Sequence, residues 1–437
     1  MERAPGQAAF HHTLGYACRL QDRLDEAALH YRDALALDAG HVESLLGLGA
    51  VQAARGLFGE ARQCYSRAIA LRPDIAGAHY NLGRANEDAG DLAEAAKCYR
   101  RALSIDPAQP HAWLNLGSVI AGLGDAAGAV EAFRRALALR PDYAAAHNNL
   151  GTVLLGLGDL DGAIASFREA IRLQPAYAEA YHNLGSALRH QGQTDAAAAA
   201  FEQALLLDPA HESARFNLGA IRGENPPSPP PAVVRALFDD YATNFDTHLV
   251  DRLEYHVPER LAAEISALRG KDARLDVLDL GCGTGLLGAA IRHLANRMTG
   301  IDLSPRMLER ASERGIYDRL VGEDLAPFLR AEPAAGYDLV AAADVFVYVG
   351  DLADVFAQAA RILRSRGLFV FSVERHPAPA AQGYLLQPTG RYSHDEDYLR
   401  ALAREHGFTV RTLAPERIRT QRKEPVPGLI AVLEKEG

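Results

Sequence analysis

Lysine is nearly missing from this chain: four of its 46 basic residues are Lys, at positions 97, 271, 423 and 435. Arginine supplies the rest, which reads as a genome-composition effect and not as a phosphate-binding device. The formal charge is −10, which argues against a general nucleic-acid binder. Cysteine is scarce as well. Cys18, Cys64, Cys98 and Cys282 show no metal-ligand spacing and read as free thiols of a reducing compartment. No apolar stretch is long enough to span a bilayer. The N-terminus lacks the apolar core of a signal peptide, so the cytoplasm is the default expectation. No Gly-Lys-Ser/Thr closes a phosphate loop, and no cluster of acids suggests a catalytic metal. What remains is 437 residues, 48% apolar and 23% charged, ordinary for a soluble protein and enough for two or three domains.

Repetition dominates the first half. Leu-Gly recurs at 14-15, 48-49, 82-83, 116-117, 150-151, 184-185 and 218-219, a period of 34 throughout. Ala27, Ala61, Ala95, Ala129, Ala163 and Ala197 keep the same step, as do Tyr31, Tyr65, Tyr99, Phe133, Phe167 and Phe201. Pro73, Pro107, Pro141, Pro175 and Pro209 close five of the units, with Ala39 in that place in the first. The pattern resembles the tetratricopeptide repeat. Each unit is then two antiparallel helices, with small Gly and Ala at the close approach and the aromatic filling the gap. Gly56, Gly90, Gly124, Gly158 and Gly192 are placed to end the first helix in a left-handed cap. One unit cannot bury its apolar face, so units stack into a superhelix. Six repeats are expected over residues 8–211. A closing helix at 212–222 would complete a repeat domain of residues 1–222.

Asn81, Asn115, Asn149, Asn183 and Asn217 occupy one equivalent position in five successive units. Stacking would set them in a ladder on the inner face. A side-chain amide offers a donor and an acceptor together, which matches a peptide group. The arrangement is similar to the asparagine ladder of O-GlcNAc transferase, which holds extended peptide. Two readings stand: a groove for a peptide or protein substrate, and helix packing. Thr13 and Gly47 replace Asn in the first two repeats, so any groove belongs to the later ones.

Glu-Asn-Pro-Pro-Ser-Pro-Pro-Pro at 224–231 favours extended polyproline conformation. It is expected to be a semi-rigid linker, residues 223–232, before a second domain at 233–437. That domain is organised around Leu-Asp-Val-Leu-Asp-Leu-Gly-Cys-Gly-Thr-Gly-Leu-Leu-Gly at 275–288. An apolar strand ends in Asp279, glycines follow at 281, 283 and 285, and an apolar helix begins. Glycine lets backbone approach a ligand closely. The dinucleotide fingerprint requires glycine at its sixth place, where this chain has Leu286.

Asp-x-Gly-x-Gly-x-Gly after a strand resembles motif I of class I S-adenosylmethionine (SAM) methyltransferases. Met298 to Leu303 reads as a second strand ending in Asp302, 19 residues beyond Gly283, where an acid can accept from ribose hydroxyls. Glu323-Asp324-Leu325 resembles the family's adenine-contact motif. Strands are expected near Leu320, over Tyr337–Ala342 and Gly367–Val373, and as a final hairpin over Phe408–Leu413 and Leu429–Leu433. The fold class is then an N-terminal all-α superhelix followed by a Rossmann-like domain, a seven-stranded mostly parallel sheet with an antiparallel strand. The segment from Phe238 to Leu249 with Tyr255 looks like the one preceding motif I in a bacterial group of predicted methyltransferases that carry tetratricopeptide repeats.

The resemblance implies SAM as cofactor. It places Asp279, Gly281, Cys282, Gly283, Gly285, Asp302, Leu303, Asp324, Leu325 and Asp344 at the cofactor, with Tyr241 and Tyr255 as candidate aromatic contacts. Cys282 reads as a small packing residue, not a nucleophile. Methyl transfer from a sulfonium needs alignment first, and a base only if the acceptor arrives protonated. His394 and Tyr392 are the catalytic candidates, with His376 and Tyr348 also titratable. His376, Tyr392 and His394 belong to the irregular stretch 374–397, which lies beyond the carboxyl ends of the strands where substrate would enter, with Arg391 there as a candidate substrate contact. Ala343-Asp344-Val345-Phe346 is not the Asn/Asp-Pro-Pro-Tyr of base amino methylation. The leading expectation is a SAM-dependent methyltransferase whose repeats recruit a peptide or protein. The alternative is a small-metabolite enzyme using the repeats for dimerisation or localisation. A binding protein that only senses SAM is disfavoured by intact Asp279, Gly281, Gly283 and Asp302.

Overall fold

The computed structural model describes residues 5–241, 246, 255–376, 380–421 and 424–437. The chain divides into two compact units, Met1–Ala187 and Leu188–Gly437. No helix among the described residues is long and apolar enough to cross a membrane.

The first unit is a run of helix pairs: Pro5–Leu20 with Leu24–Leu37, Val42–Ala54 with Phe58–Leu71, Ala76–Asp88 with Leu92–Ile105, Pro110–Gly122 with Ala126–Leu139, and Ala144–Gly156 with Leu160–Leu173. The repeated glycines are needed for contact. A Cβ at Gly15, Gly49, Gly83, Gly117 or Gly151 would stand 2.6–2.9 Å from the ring of Tyr31, Tyr65, Tyr99, Phe133 or Phe167. Each ring is buried beside a fully buried alanine of its own helix. At the turns, Gly56, Gly90, Gly124 and Gly158 adopt φ of +74° to +89°, and Asp22 takes that conformation in the first repeat. Asp91, Asp125 and Asp159 then cap the second helices by accepting from the backbone N–H three residues on, which satisfies one orphan donor of each helix start.

The division between units falls inside the helix Ala178–Gln191. The second unit therefore includes the helices Thr194–Leu207 and Glu212–Arg222, which the period of 34 assigns to the array. Packing gives the reason. Phe216 and Ala220 of Glu212–Arg222 share a buried cluster with Tyr384, Leu386 and Tyr392 of the sheet.

That sheet has nine strands: β1 (Leu275–Leu280), β2 (Ala295–Asp302), β3 (Arg319–Gly322), β4 (Tyr337–Ala342), β5 (Leu363–Arg375), β6 (Tyr384–Leu386), β7 (Tyr392–His394), β8 (Phe408–Gln421) and β9 (Glu424–Lys435). The order is β3-β2-β1-β4-β5-β7-β6, with β9 also antiparallel on β5 and β8 on β9. Two more strands form than the seven expected. The stretch 374–397, expected to be irregular, pairs as an antiparallel β6–β7 hairpin beside the end of β5. Alternation sorts the core onto two faces. Leu278, Val340, Phe369, Phe371 and Ala431 lie on one, and Val277, Leu339, Leu368, Val370 and Ile430 on the other.

The Pro-rich segment is not a spacer. Asn225 accepts from the Leu386 N–H at 2.7 Å and donates to the Tyr384 carbonyl at 3.0 Å, capping the hairpin edge as an added strand would. The Pro226 carbonyl accepts from the Tyr392 hydroxyl at 2.9 Å. The Pro227 carbonyl accepts from the Gly350 and Asp351 N–H groups. Proline lacks a donor but keeps its acceptor, so this run is pinned by other residues' donors.

Candidate active site

The order in which strands are added reverses between β1 and its parallel neighbour β4, and a ligand crevice is expected at the carboxyl ends of the strands there. A cavity of about 180 Å³ occupies that place. It is lined by Asp279 of β1 with Gly281, Cys282 and Gly283 after it, Asp302 at the end of β2 with Leu303, Glu323 to Leu325 after β3, and Ala343 to Val345 after β4. Ser228, Pro229, Pro231, Val234, Phe238, Tyr255, Tyr348, Val349 and Arg391 also line it.

The loop after β1 holds left-handed glycines at 281 (φ +57°), 283 (φ +54°) and 285 (φ +90°). A Cβ at Gly281 would lie 2.7 Å from Val345 Cγ2, so this position permits no side chain. Asp302 ties the loop to the end of β2. Its Oδ2 accepts from the Gly283 N–H and its Oδ1 from the Ser304 N–H, both at 2.9 Å. Burial raises the Asp302 pKa against these hydrogen bonds. Asp279 is 1% exposed, and its Oδ2 accepts from the Tyr317 hydroxyl at 2.6 Å. Burial, with the Asp302 charge nearby, pushes its pKa up to about 7. Burial also lifts the Cys282 thiol well above its usual range, so it stays protonated and packs. The segment before motif I is latched to this loop: Asp239 accepts from the Ser304 hydroxyl at 2.6 Å, and Asp246 accepts from Thr284 and Arg314.

Asp344 has φ +57°, unusual outside glycine. Its N–H donates to Ser372 Oγ at 3.0 Å, and its Oδ1 lies 2.8 Å from Arg419 Nη1. Arg419, 1% exposed, also grips Glu374. Tyr255 and Tyr348 are both raised in pKa by burial. Arg391 lies with its guanidinium carbon 5.4 Å from the Tyr348 ring centre.

Of the cofactor candidates, the structure brings Asp279, Gly281, Cys282, Gly283, Asp302, Leu303, Asp324, Leu325, Asp344 and Tyr255 to one cavity. Gly285 shapes the turn behind it. The Tyr241 side chain lies outside the described residues. The two catalytic candidates do not line the cavity. His394 is fully buried, with Nε2 2.9 Å from the Gly350 carbonyl and a pKa pushed down to about 4 by burial. Tyr392 is fully buried too, and its hydroxyl is spent on Pro226. Closing the β6–β7 hairpin against Glu212–Arg222 turns both inward. His376 does not line the cavity either; its N–H donates to the His394 carbonyl.

The asparagines do not form a free ladder. Asn115 donates to the hydroxyls of Tyr80 and Tyr99 at 3.4 and 3.3 Å. Asn149 donates to Ser118 Oγ at 3.2 Å and Asn183 to Asn148 Oδ1 at 3.1 Å. These bonds join neighbouring repeats, as the packing reading requires. Asn81 is half-buried. Asn217 belongs to the second unit, where its Oδ1 accepts from Arg189 Nη1 at 3.2 Å. Sequence reasoning missed Tyr317, Arg189, Arg419 and the prolines of the cavity wall. The Tyr317 and Arg419 contacts cross 38 and 75 residues, and no local pattern announces them.

Residues 253–413 match the model of a methyltransferase domain family. Residues 46–110, 97–144, 114–178 and 178–211 match tetratricopeptide repeat models. The chain carries a tetratricopeptide repeat region followed by a methyltransferase domain. A ubiquinone biosynthesis O-methyltransferase of Xanthomonas oryzae pv. oryzae is 32% identical over 148 residues, 29% of this chain and 60% of that protein. A malonyl-[acyl-carrier protein] O-methyltransferase of a Methylovorus strain is 31% identical over 150 residues, 32% of this chain and 49% of that protein. The chain thus spans about half to three-fifths of the length of these curated relatives. The crystal structure of MamA is similar at 27% identity and a TM-score of 0.36, covering 37% of this chain and 95% of that one.

Proposed function

We propose that the second unit is a SAM-dependent methyltransferase that methylates an oxygen of a small acceptor. The observation that carries this reading is the joining of the bare glycine loop, the Asp302 carboxylate and the Glu323-Asp324 pair around one cavity at the topological reversal. The residues fit SAM. The loop leaves no room for a Cβ at 281, and five acids line a cavity whose ligand would carry a sulfonium charge. When bound, SAM supplies an electrophilic methyl group. Asp302 would accept from the ribose hydroxyls, Asp324 and Leu325 would border the base, and the glycine loop would carry the methionine part. Tyr255 and Phe238 keep water from the reacting atoms, which strengthens every electrostatic contact there. Both relatives described above are named O-methyltransferases, which favours oxygen as acceptor atom.

Recruitment of a protein by the repeats is the second reading, favoured by the match of residues 46–211 to repeat families. Asparagine-based capture of peptide is not part of it, because three of those amides are spent between repeats. Titration of the purified full chain with SAM by calorimetry tests the main reading. Saturable binding at one site per chain supports it, and the absence of binding at millimolar SAM sinks it.

A further inference from the structure

We propose that Arg391 is the anion-binding end of the acceptor site and that the acceptor is a carboxylic acid, taken as its carboxylate and converted to the methyl ester. This rests on the methyltransferase reading. Arg391 is fixed by the hairpin turn: the Gln387 N–H donates to its carbonyl at 2.8 Å, and Gly390 holds φ +80°. A Cβ at Gly390 would stand 2.6 Å from Arg189 Nη1, so a second arginine packs against the same turn. Arg391 lines the cavity, and its buried Nη1 meets no acceptor closer than 3.5 Å. The acids near it are Glu374 at 3.5 Å and Asp344 at 3.9 Å. Both are held more closely by Arg419, which is itself buried. A buried guanidinium N–H whose carboxylate neighbours stand this far off keeps hydrogen-bonding capacity in hand, and a guanidinium matches a carboxylate edge to edge.

The chemistry of the wall points the same way. An alcohol, phenol or ammonium must lose a proton before or during methyl transfer. Among the described residues that line the cavity there is no histidine or lysine. The lining tyrosines and the cysteine are held protonated by burial. Asp344 and Asp302 are engaged by Arg419 and by backbone N–H groups. Asp279 belongs to β1, three strand spacings from β7, roughly 14 Å, and Glu323 and Asp324 follow β3, two strands further away. A carboxylate arrives already ionised. Its oxygen attacks the methyl carbon, the O–C bond forms and the C–S bond breaks. The electron pair goes to sulfur, the sulfonium becomes a thioether, and no proton or other reactant is required. Val234, Phe238, Val345 and Val349 make the neighbouring wall apolar, so the acid carries an apolar body.

The test is calorimetry on the full chain saturated with S-adenosylhomocysteine. The probes are phenylacetate, octanoate and glutarate, each paired with its amide, and methyl ester formation from SAM is read by mass spectrometry. The expected result is binding and esterification of at least one carboxylate, at least tenfold preferred over its amide. Arg391→Gln should weaken that carboxylate at least tenfold and leave S-adenosylhomocysteine affinity unchanged, which also shows that the variant is folded. Arg391→Lys should recover part of the loss. Parity of acid and amide, failure of every carboxylate on a protein that binds S-adenosylhomocysteine, or an unchanged Arg391→Gln would overturn the proposal and leave the methyltransferase reading standing. Failure of the wild type to bind S-adenosylhomocysteine would overturn that reading instead.

Discussion

Replacing Asp279 by Asn should make the second unit more stable, and increasingly so as pH rises. Asp279 ends β1 with 1% of its surface exposed. Burial, together with the Asp302 charge, moves its pKa from 3.8 to about 7. A raised pKa means that the folded protein holds the proton more tightly than the unfolded chain does. That contribution is whole below the unfolded value and is lost as pH climbs through about 7. Roughly three units at 1.36 kcal/mol each put the loss on the order of 4 kcal/mol. Asn carries no charge and still offers Tyr317 an acceptor, so the variant is spared the loss. Asp302 is raised in the same direction but is present in both proteins and largely subtracts. A two-unit chain does not melt as one. Native-state hydrogen exchange of the β1 and β4 amides therefore reads this unit alone, and comparing the two proteins at each pH cancels intrinsic exchange. Protection in Asp279→Asn relative to wild type should grow between pH 5 and about pH 7 and then level off, by roughly a hundredfold if the whole shift is realised, because about two of the three units fall in that window. A ratio that stays flat over that range, or falls, would refute the burial argument.

Asp302→Ala should raise the SAM dissociation constant at least tenfold, since a hydrogen bond to a charged group is worth about 1.5–3 kcal/mol; unchanged affinity in calorimetry removes this acid from the site. Gly281→Ala places a Cβ 2.7 Å from Val345 at φ +57°, which should cost about 1–3 kcal/mol in a thermal-shift assay and weaken SAM binding; a neutral variant would mean that the loop has slack. Tyr392→Phe should lose about 1 kcal/mol of stability with kcat unchanged, whereas a fall in kcat at full stability would return Tyr392 to the chemistry. Asn115, Asn149 and Asn183 replaced together by Ala should lower the melting temperature of the repeat region, at about 0.5–1.5 kcal/mol per lost bond, and leave SAM affinity alone; normal melting would reopen the peptide groove.

The repeats were legible because every structural demand recurs. Gly83 must be bare because Tyr99 fills its space, and the same pair returns every 34 residues, so chance coincidence is not a competitor. The cofactor end of the cavity was legible for a related reason. A buried strand, a glycine turn and an acid are consecutive in sequence, and Asp302 follows at the end of the next strand. The acceptor end was not legible. Strands β6 and β7 are three residues each, too short for alternation to show. They persist because Phe216 and Ala220 cover them and Asn225 completes their edge. His394 looked like a polar loop residue. Its burial is a property of the hairpin's packing, which no local pattern records.

The same contrast says where specificity resides. The family match begins at residue 253, yet Ser228, Pro229, Pro231, Val234 and Phe238 line the cavity. They are placed there by a proline segment whose carbonyls are held by Tyr392, Gly350 and Asp351. Arg391 stands within the matched residues, on a hairpin braced by the helix Glu212–Arg222, which lies outside them. The strand ends fix what donates the methyl group, because the turn and its acids are demanded by the cofactor. The segments on the other side fix what receives it, and the proline segment and the helices before residue 253 among them lie outside the match. The matched relatives therefore inform the kind of transfer, while the acceptor must be read from Arg391 and the apolar wall beside it. For this reason the amide and carboxylate probes, and not the relatives' substrates, are the decisive compounds to try.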